Sequence, residues 1–328
     1  MGAPLRYLSG IQPSGHQHLG NYFGAIRKHV ANQDNAFYFI ADYHAMNSTQ
    51  DAAVLKENVT SLAATYLAFG LDPERATLWR QSDVPEVTEL AWMLGTVTTM
   101  GLLERAVSYK EKVERGQEAK VGLFTYPVLQ AADILAFDAD VVPVGKDQSQ
   151  HLEMTRDMAG YFNRAFSPVF KSPKTAYGTP ELVPGLDGAK MSKSYDNHIP
   201  IFLKGKALKK RVMAITTDST PLEDPKDPDT CTVFALYSLM GTEEENAALA
   251  AKYRGGNFGY GHAKLALLEK INEYFGPARE RYDALMANPE EIEAALQIGA
   301  RRARTVAQGV LARAREAVGM NPRPAQLG

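Results

Sequence analysis

The sequence predicts an α/β fold over residues 1–200, a parallel sheet carrying a helical insertion, followed by an all-α part over residues 201–328. Two observations carry this. Short apolar runs alternate with helical spacing from Tyr7 to Arg80, in the order strand, helix, strand, helix, strand, which a parallel sheet with right-handed crossovers satisfies. After Ile199 strand patterns vanish and only helical spacing continues.

Tyr7-Leu8-Ser9-Gly10-Ile11 is an apolar run that predicts a buried strand. Gln12-Pro13-Ser14-Gly15 breaks it. His16-Gln17-His18-Leu19-Gly20-Asn21 then opens a helix, with Tyr22, Ala25, Ile26, His29 and Val30 at helical spacing. Residues 36–42 predict a second strand, with Tyr43 and His44 at its C-terminal end, where parallel sheets bind ligands. Leu55, Val59, Leu62, Tyr66 and Phe69 mark an amphipathic helix, stopped by Gly70 and Pro73. Residues 76–80 give the third strand.

Residues 84–120 leave that rhythm and are expected as the insertion, a helix from Pro85 through Val97 and then an exposed loop. Residues 124–135 predict an apolar helix. Residues 140–144 predict a strand running into a turn at Gly145, followed by a helix from Asp147 through Phe162. Residues 216–230, rich in Asp, Pro and Thr, are expected as a linker or an ordered surface loop. In the last helix Asn288 is expected as the cap, Pro289 takes the first position, and Glu290 and Glu291 suit the dipole. Its buried stripe is Ile292, Leu296, Gly299, Ala303, Val306, Val310 and Ala314. Arg301, Arg302, Arg304, Arg313 and Arg315 fall on the remaining surface.

The 328 residues allow a large core and two domains. Hydrophobic residues make up 45% and charged residues 23%, ordinary for a globular protein. The net charge of −2 gives no global pull towards nucleic acid, so any RNA contact needs a local patch. A single cysteine, Cys231, excludes an internal disulfide and a thiolate metal cluster, and suits a reducing cytoplasm. The start, Met1-Gly2-Ala3-Pro4-Leu5-Arg6, is too polar for a signal peptide. Residues 90–103 form the longest uncharged run, shorter than the ~20 residues a bilayer needs.

Three stretches carry chemistry. In Lys190-Met191-Ser192-Lys193-Ser194, two ammonium groups lie three residues apart with a hydroxyl on either side of the second. Turn residues flank it on both sides, so a mobile loop is expected. Flexible point charges suit a polyphosphate whose charge shifts during reaction; an arbitrary K-x-x-K is more often a solvated turn. His18-Leu19-Gly20-Asn21 sits between a strand and a helix N-terminus, where backbone N–H groups favour an anion. Its bland counterpart is an ordinary β–α turn. Asp133 lies among Ala, Ile and Leu, and a buried carboxylate costs several kcal/mol unless paired or hydrogen-bonded. It can be satisfied by an arginine or a cap, or by accepting from an indole N–H, tryptophan's only side-chain polar group.

His18-Leu19-Gly20-Asn21 and the 190–194 string resemble the two signatures of class I aminoacyl-tRNA synthetases. The wider run from Gly10 to Tyr22 resembles the tryptophanyl-tRNA synthetase family, and the likeness extends to about Val318. The resemblance implies a Rossmann-like catalytic domain over 1–200, a dimer contact in the 84–120 insertion, and a helical anticodon-binding domain over 201–328 whose end packs back on the first. It implies ATP-dependent activation of tryptophan followed by transfer to tRNA, with Mg2+ riding on ATP oxygens, in a cytoplasmic homodimer.

By the same resemblance His18, Lys190, Lys193 and Lys112 serve catalysis. Gln12, Pro13, Ser14, Gly20, Asn21, Gly145, Lys146, Asp147, Gln148, Val183, Met191, Ser192 and Ser194 join the lysines around ATP. Asp133, Leu8, His44, Tyr126, Gln130, Val142 and Val144 hold tryptophan. Gln130 departs from the methionine common in bacterial members, which keeps the tyrosine-specific sister family open. A small-molecule adenylyl transferase and a non-catalytic paralogue are the other readings.

Overall fold

The computed structural model describes residues 5–106, 109, 116, 118, 120–144, 149–177 and 182–321. Five strands form one sheet in the order β3-β2-β1-β4-β5: β1 Tyr7–Ile11, β2 Ala36–Ile40, β3 Thr77–Arg80, β4 Val141–Val144 and β5 Lys174–Tyr177. Every pairing is parallel. β1 runs in register with β2 from Tyr7 opposite Ala36 to Ile11 opposite Ile40. The chain builds outward from β1 to β3, then returns to the other side of β1 for β4 and β5. The order therefore reverses between β1 and β4, and a crevice opens outside the carboxyl ends of those two strands.

The first crossover is α1, residues 19–31, in which Tyr22–Ile26 adopt π-helical turns. The second is α2, Ala52–Ala68, capped by Asp51, whose carboxylate accepts from the Ala53 and Val54 N–H groups. α3, Glu86–Val97, buries Val87, Leu90, Met93 and Leu94. It packs against α4, Val121–Leu135, and α5, Ser149–Ala165. β5 is the strand that the sequence reading missed.

Beyond Ile199 the elements are helical as expected: α6 Gly205–Met213, α7 Thr232–Ser238, α8 Glu243–Gly255, α9 Tyr260–Ala287 and α10 Pro289–Ala317. α9 packs on α2, and one apolar cluster runs from Leu19 and Phe23 to Phe275 and Tyr282. α10 lies on β3, the outer strand, so closely that a Cβ on Gly299 would stand 1.8 Å from the Leu78 carbonyl oxygen. Only glycine fits there. Asn288 occupies the cap position, but its side chain makes no capping bond. Val306 is half-buried, and Ala307 fills the stripe position expected for it.

The 216–230 segment is an ordered loop wound on Lys226. That lysine is 4% exposed, and its ammonium donates to the carbonyls of Pro221 (2.6 Å) and Asp224 (3.0 Å). No described helix is long and apolar enough to cross a membrane.

Candidate active site

The two signature strings, about 170 residues apart, meet. The Lys193 ammonium donates to the Ser14 carbonyl at 2.8 Å. The Gly20 N–H points at Met191 Sδ at 3.3 Å. A Cβ on Gly20 would press on the His18 ring at 3.0 Å and on Met191 at 3.4 Å, so the small residue lets the two segments close. Two backbone bonds lock the junction: Leu19 N–H to the Ile199 carbonyl and Ile201 N–H to the Gln17 carbonyl, both 3.0 Å.

The 190–194 turn is braced from within. The Asn197 side chain accepts from the Ser192 N–H (2.7 Å) and donates to Asp187 (2.8 Å) and to the Lys190 carbonyl (3.1 Å). The Val183 carbonyl accepts from the Met191 N–H at 2.9 Å, and Ser192 Oγ accepts from the Ser194 N–H. Lys190 is exposed and Lys193 half-buried. Neither has a carboxylate in ion-pair reach among the described residues. Burial lowers the Lys193 pKa from its usual value.

His18 is 6% exposed, and its Nδ1 has no partner among the described residues. Burial, with the charges of Lys193 and His198 acting the same way, lowers its pKa to about 4. The ring is therefore neutral at pH 7. His198, whose ring centroid lies 5.7 Å from that of His18, had no signal in the sequence. Asn21 Oδ1 accepts from the His18 N–H at 3.0 Å, which ties the helix start. Gln12 donates to Ser48 Oγ at 3.2 Å, and buried Pro13 anchors the loop.

Between β1, β4 and α1 lies a cleft of about 840 Å3, lined by Gly10, Gln12, Ser14, Asn21, Gly24 and Pro143 among others. It opens where the strand order reverses and carries residues of the first signature. A second cleft of about 680 Å3, between α2 and α10, carries no signature residue.

Asp133 sits in the last turn of α4, 1% exposed. Among the described residues no arginine or cap satisfies it. His44 Nε2, from the turn after β2, lies 2.8 Å from Oδ2. Gln81 Nε2, from the turn after β3, donates to Oδ1 at 2.7 Å and Oδ2 at 2.9 Å. Burial raises the Asp133 pKa, while the bonds from His44 and Gln81 pull it back. Sequence reasoning missed Gln81; its one signal was a polar residue directly after a strand.

Leu8 and Val142 belong to the same apolar layer as Ala131 and Ala132 of α4. Gln130 is half-buried on that helix, and Tyr126 Oη is 2.6 Å from His151 Nε2. Lys112, Gly145, Lys146, Asp147 and Gln148 lie outside the described residues, as does the side chain of Val144.

Five arginines were expected on the outer face of α10. Four of them are paired to carboxylates of the first half. Arg302 meets Glu74, Arg304 meets Glu86 at 2.8 Å, Arg313 meets Asp138 at 2.8 Å, and Arg315 meets Glu89.

Comparison with known proteins gives the family. The family of class I tRNA synthetases described as W and Y matches residues 1–276. A tryptophan–tRNA ligase from Rhodopirellula baltica is 51% identical over 96% of this chain and all of its own length. One from Fusobacterium nucleatum is also 51% identical, over 96% of this chain and 98% of its own. The crystal structure of tryptophanyl-tRNA synthetase from Campylobacter jejuni, complexed with ADP and tryptophan, superposes with a TM-score of 0.93. It is 48% identical and covers 96% of this chain and all of that one. The chain belongs to the class I tRNA synthetases of the W and Y family.

Proposed function

We propose that this chain is a tryptophan–tRNA ligase. In the first step the tryptophan carboxylate attacks the α-phosphorus of ATP in line, the bond to the bridging oxygen breaks, and pyrophosphate leaves. In the second a ribose hydroxyl at the tRNA 3′ end attacks the adenylate carbonyl and AMP leaves. The observation that carries this reading is the closure of Lys193 on Ser14 beside the 840 Å3 cleft. It sets a lysine with no carboxylate partner among the described residues, a neutral buried histidine and a helix start around one site fit for a polyphosphate. His18, Asn21 and the α1 start orient the phosphate chain. Lys190 and Lys193 bind it more tightly as charge builds on the leaving pyrophosphate, which lowers the barrier. Gly145, Lys146, Asp147 and Gln148 are assigned to ATP, and Lys112 to pyrophosphate, by family resemblance alone.

Asp133 would accept the indole N–H, with Leu8, His44, Tyr126, Gln130, Val142 and Val144 around the ring. Among the described residues no group of three or more His, Cys, Asp or Glu could hold a metal ion. By family resemblance Mg2+ would ride on ATP oxygens, with water completing its shell. The tRNA contact falls to α6, where Lys206, Lys209 and Lys210 are exposed and have no carboxylate partner among the described residues. α6 is tied to the signature turn by Arg211 to Asp196. Residues 205–287 would form the anticodon side, with α10 part of the catalytic body.

A second copy of the chain would cover Trp92 (74% exposed), Met100 (63%) and Val121 (77%), large apolar side chains at the insertion. Work in the cytoplasm follows from the same reading. The test is ATP–pyrophosphate exchange with tryptophan and tyrosine side by side. Exchange should depend on tryptophan; dependence on tyrosine instead would make this the sister enzyme, and dependence on neither would remove the activity.

A further inference from the structure

Gln81 is 1% exposed, yet the two steps above do not use it. Its amide orientation is fixed from both ends. Oε1 accepts from the Tyr43 N–H at 3.0 Å, and Nε2 reaches both oxygens of Asp133 at 2.7 and 2.9 Å. Turning the amide over would set NH2 against N–H and carbonyl against carboxylate. Gln81 therefore meets Asp133 only as a donor.

An ionised carboxylate offers about four lone-pair sites. Gln81 engages one on each oxygen, and His44 Nε2 lies against Oδ2 at 2.8 Å. One acceptor site remains, on Oδ1. Among the described residues Gln81 alone touches both oxygens, so it sets the tilt of the carboxylate and hence the direction of that site.

We propose that Gln81 is a positioning residue that aims the remaining acceptor of Asp133 at an indole N–H, and so sets the preference for a ring bearing an N–H over one of the same shape without it. This rests on the tryptophan reading above and adds a determinant to it. The fold does not depend on the amide for the backbone it touches, because the Tyr43 N–H also has Asp42 Oδ1 at 3.1 Å.

The test compares tryptophan with 3-(benzothiophen-3-yl)alanine, in which sulfur replaces the N–H, in pyrophosphate exchange. Wild-type enzyme should favour tryptophan in kcat/KM by about tenfold to hundredfold, as one hydrogen bond to a buried charge implies. In Gln81→Met that ratio should fall to within about threefold, through a higher KM for tryptophan. The KM for the analogue and both kcat values should stay within about twofold. Gln81→Leu, which also cannot donate, should collapse the ratio as well, and carries the test if the methionine variant does not fold. A folded variant that keeps the wild-type ratio would overturn the proposal. So would an equal loss for both amino acids, which marks a merely structural role. Wild-type enzyme inactive with tryptophan would instead sink the functional reading itself, and this proposal with it.

Discussion

Lys190 and Lys193 have no carboxylate partner among the described residues, whereas four of the five arginines expected on the surface of α10 each meet a carboxylate of the first half. In the sequence both segments are cationic runs next to turn or helix signals. In the fold one leaves its charge available to a ligand, and the other uses its charge to bind the C-terminal helix to the sheet domain. Glu86 shows the second use most clearly. Burial pushes its carboxyl up, but Arg304, its own backbone N–H and Gln308 together hold it below the usual glutamate value. A run of basic residues is thus informative only once its carboxylate partners are known.

The comparison can be broken at either end. The largest expected effect is Lys193→Ala. Adenylate formation measured by tryptophan-dependent pyrophosphate exchange should drop about 10²–10³-fold, the usual loss for one donor to developing charge. Tryptophan binding should stay within about twofold. Asp133→Ala comes next, with tryptophan binding weaker by ~1–3 kcal/mol as the indole N–H loses its acceptor; calorimetry with tryptophan reads this, and unchanged affinity would remove Asp133 from the pocket.

Reversing charge at Lys206, Lys209 and Lys210 sharpens the comparison, because these lysines resemble the signature pair in having no carboxylate partner among the described residues. Charging assays across a salt series should show a raised KM for tRNA and a salt slope smaller by about 0.7–0.9 per lysine, with pyrophosphate exchange unchanged.

The smaller effects belong to α10. Arg304→Met should cost ~1–3 kcal/mol of stability, because the 1%-exposed Glu86 keeps only Gln308 and its backbone. The sign of the pH dependence follows from the lowered Glu86 pKa. The Arg304 contribution is fully present above the ordinary glutamate value of about 4.3 and is lost as pH falls through the lower folded value. The melting-point gap between wild type and variant should therefore close on acidification. Arg301, exposed and without an ion pair among the described residues, should change stability by less than about 0.5 kcal/mol as Arg301→Ala.

Much of the fold was legible because its signals are local. β1 to β3 and α2 carried apolar periodicity with Gly and Pro at their ends, and the 18–21 and 190–194 strings, which meet in the fold, stood out as motifs. β5 escaped because Lys-Thr-Ala-Tyr is four residues with no apolar alternation. Pairing with β4 defines it, not its own pattern. Gln81 and His198 escaped for a related reason: each gains its meaning from a side chain 52 or 180 residues away. Asn288 makes no side-chain cap because it is also the C-cap of α9, its N–H bonded to the Ala284 and Leu285 carbonyls.

The most direct test of the contrast crosses two substitutions with two readouts, pyrophosphate exchange and thermal midpoint. Lys193→Ala should lose exchange and melt like wild type, while Arg304→Met should melt earlier and exchange normally. If the lysine variant lost stability in step with activity, or the arginine variant lost exchange while fully folded, the division between ligand-binding and fold-holding cations would be wrong.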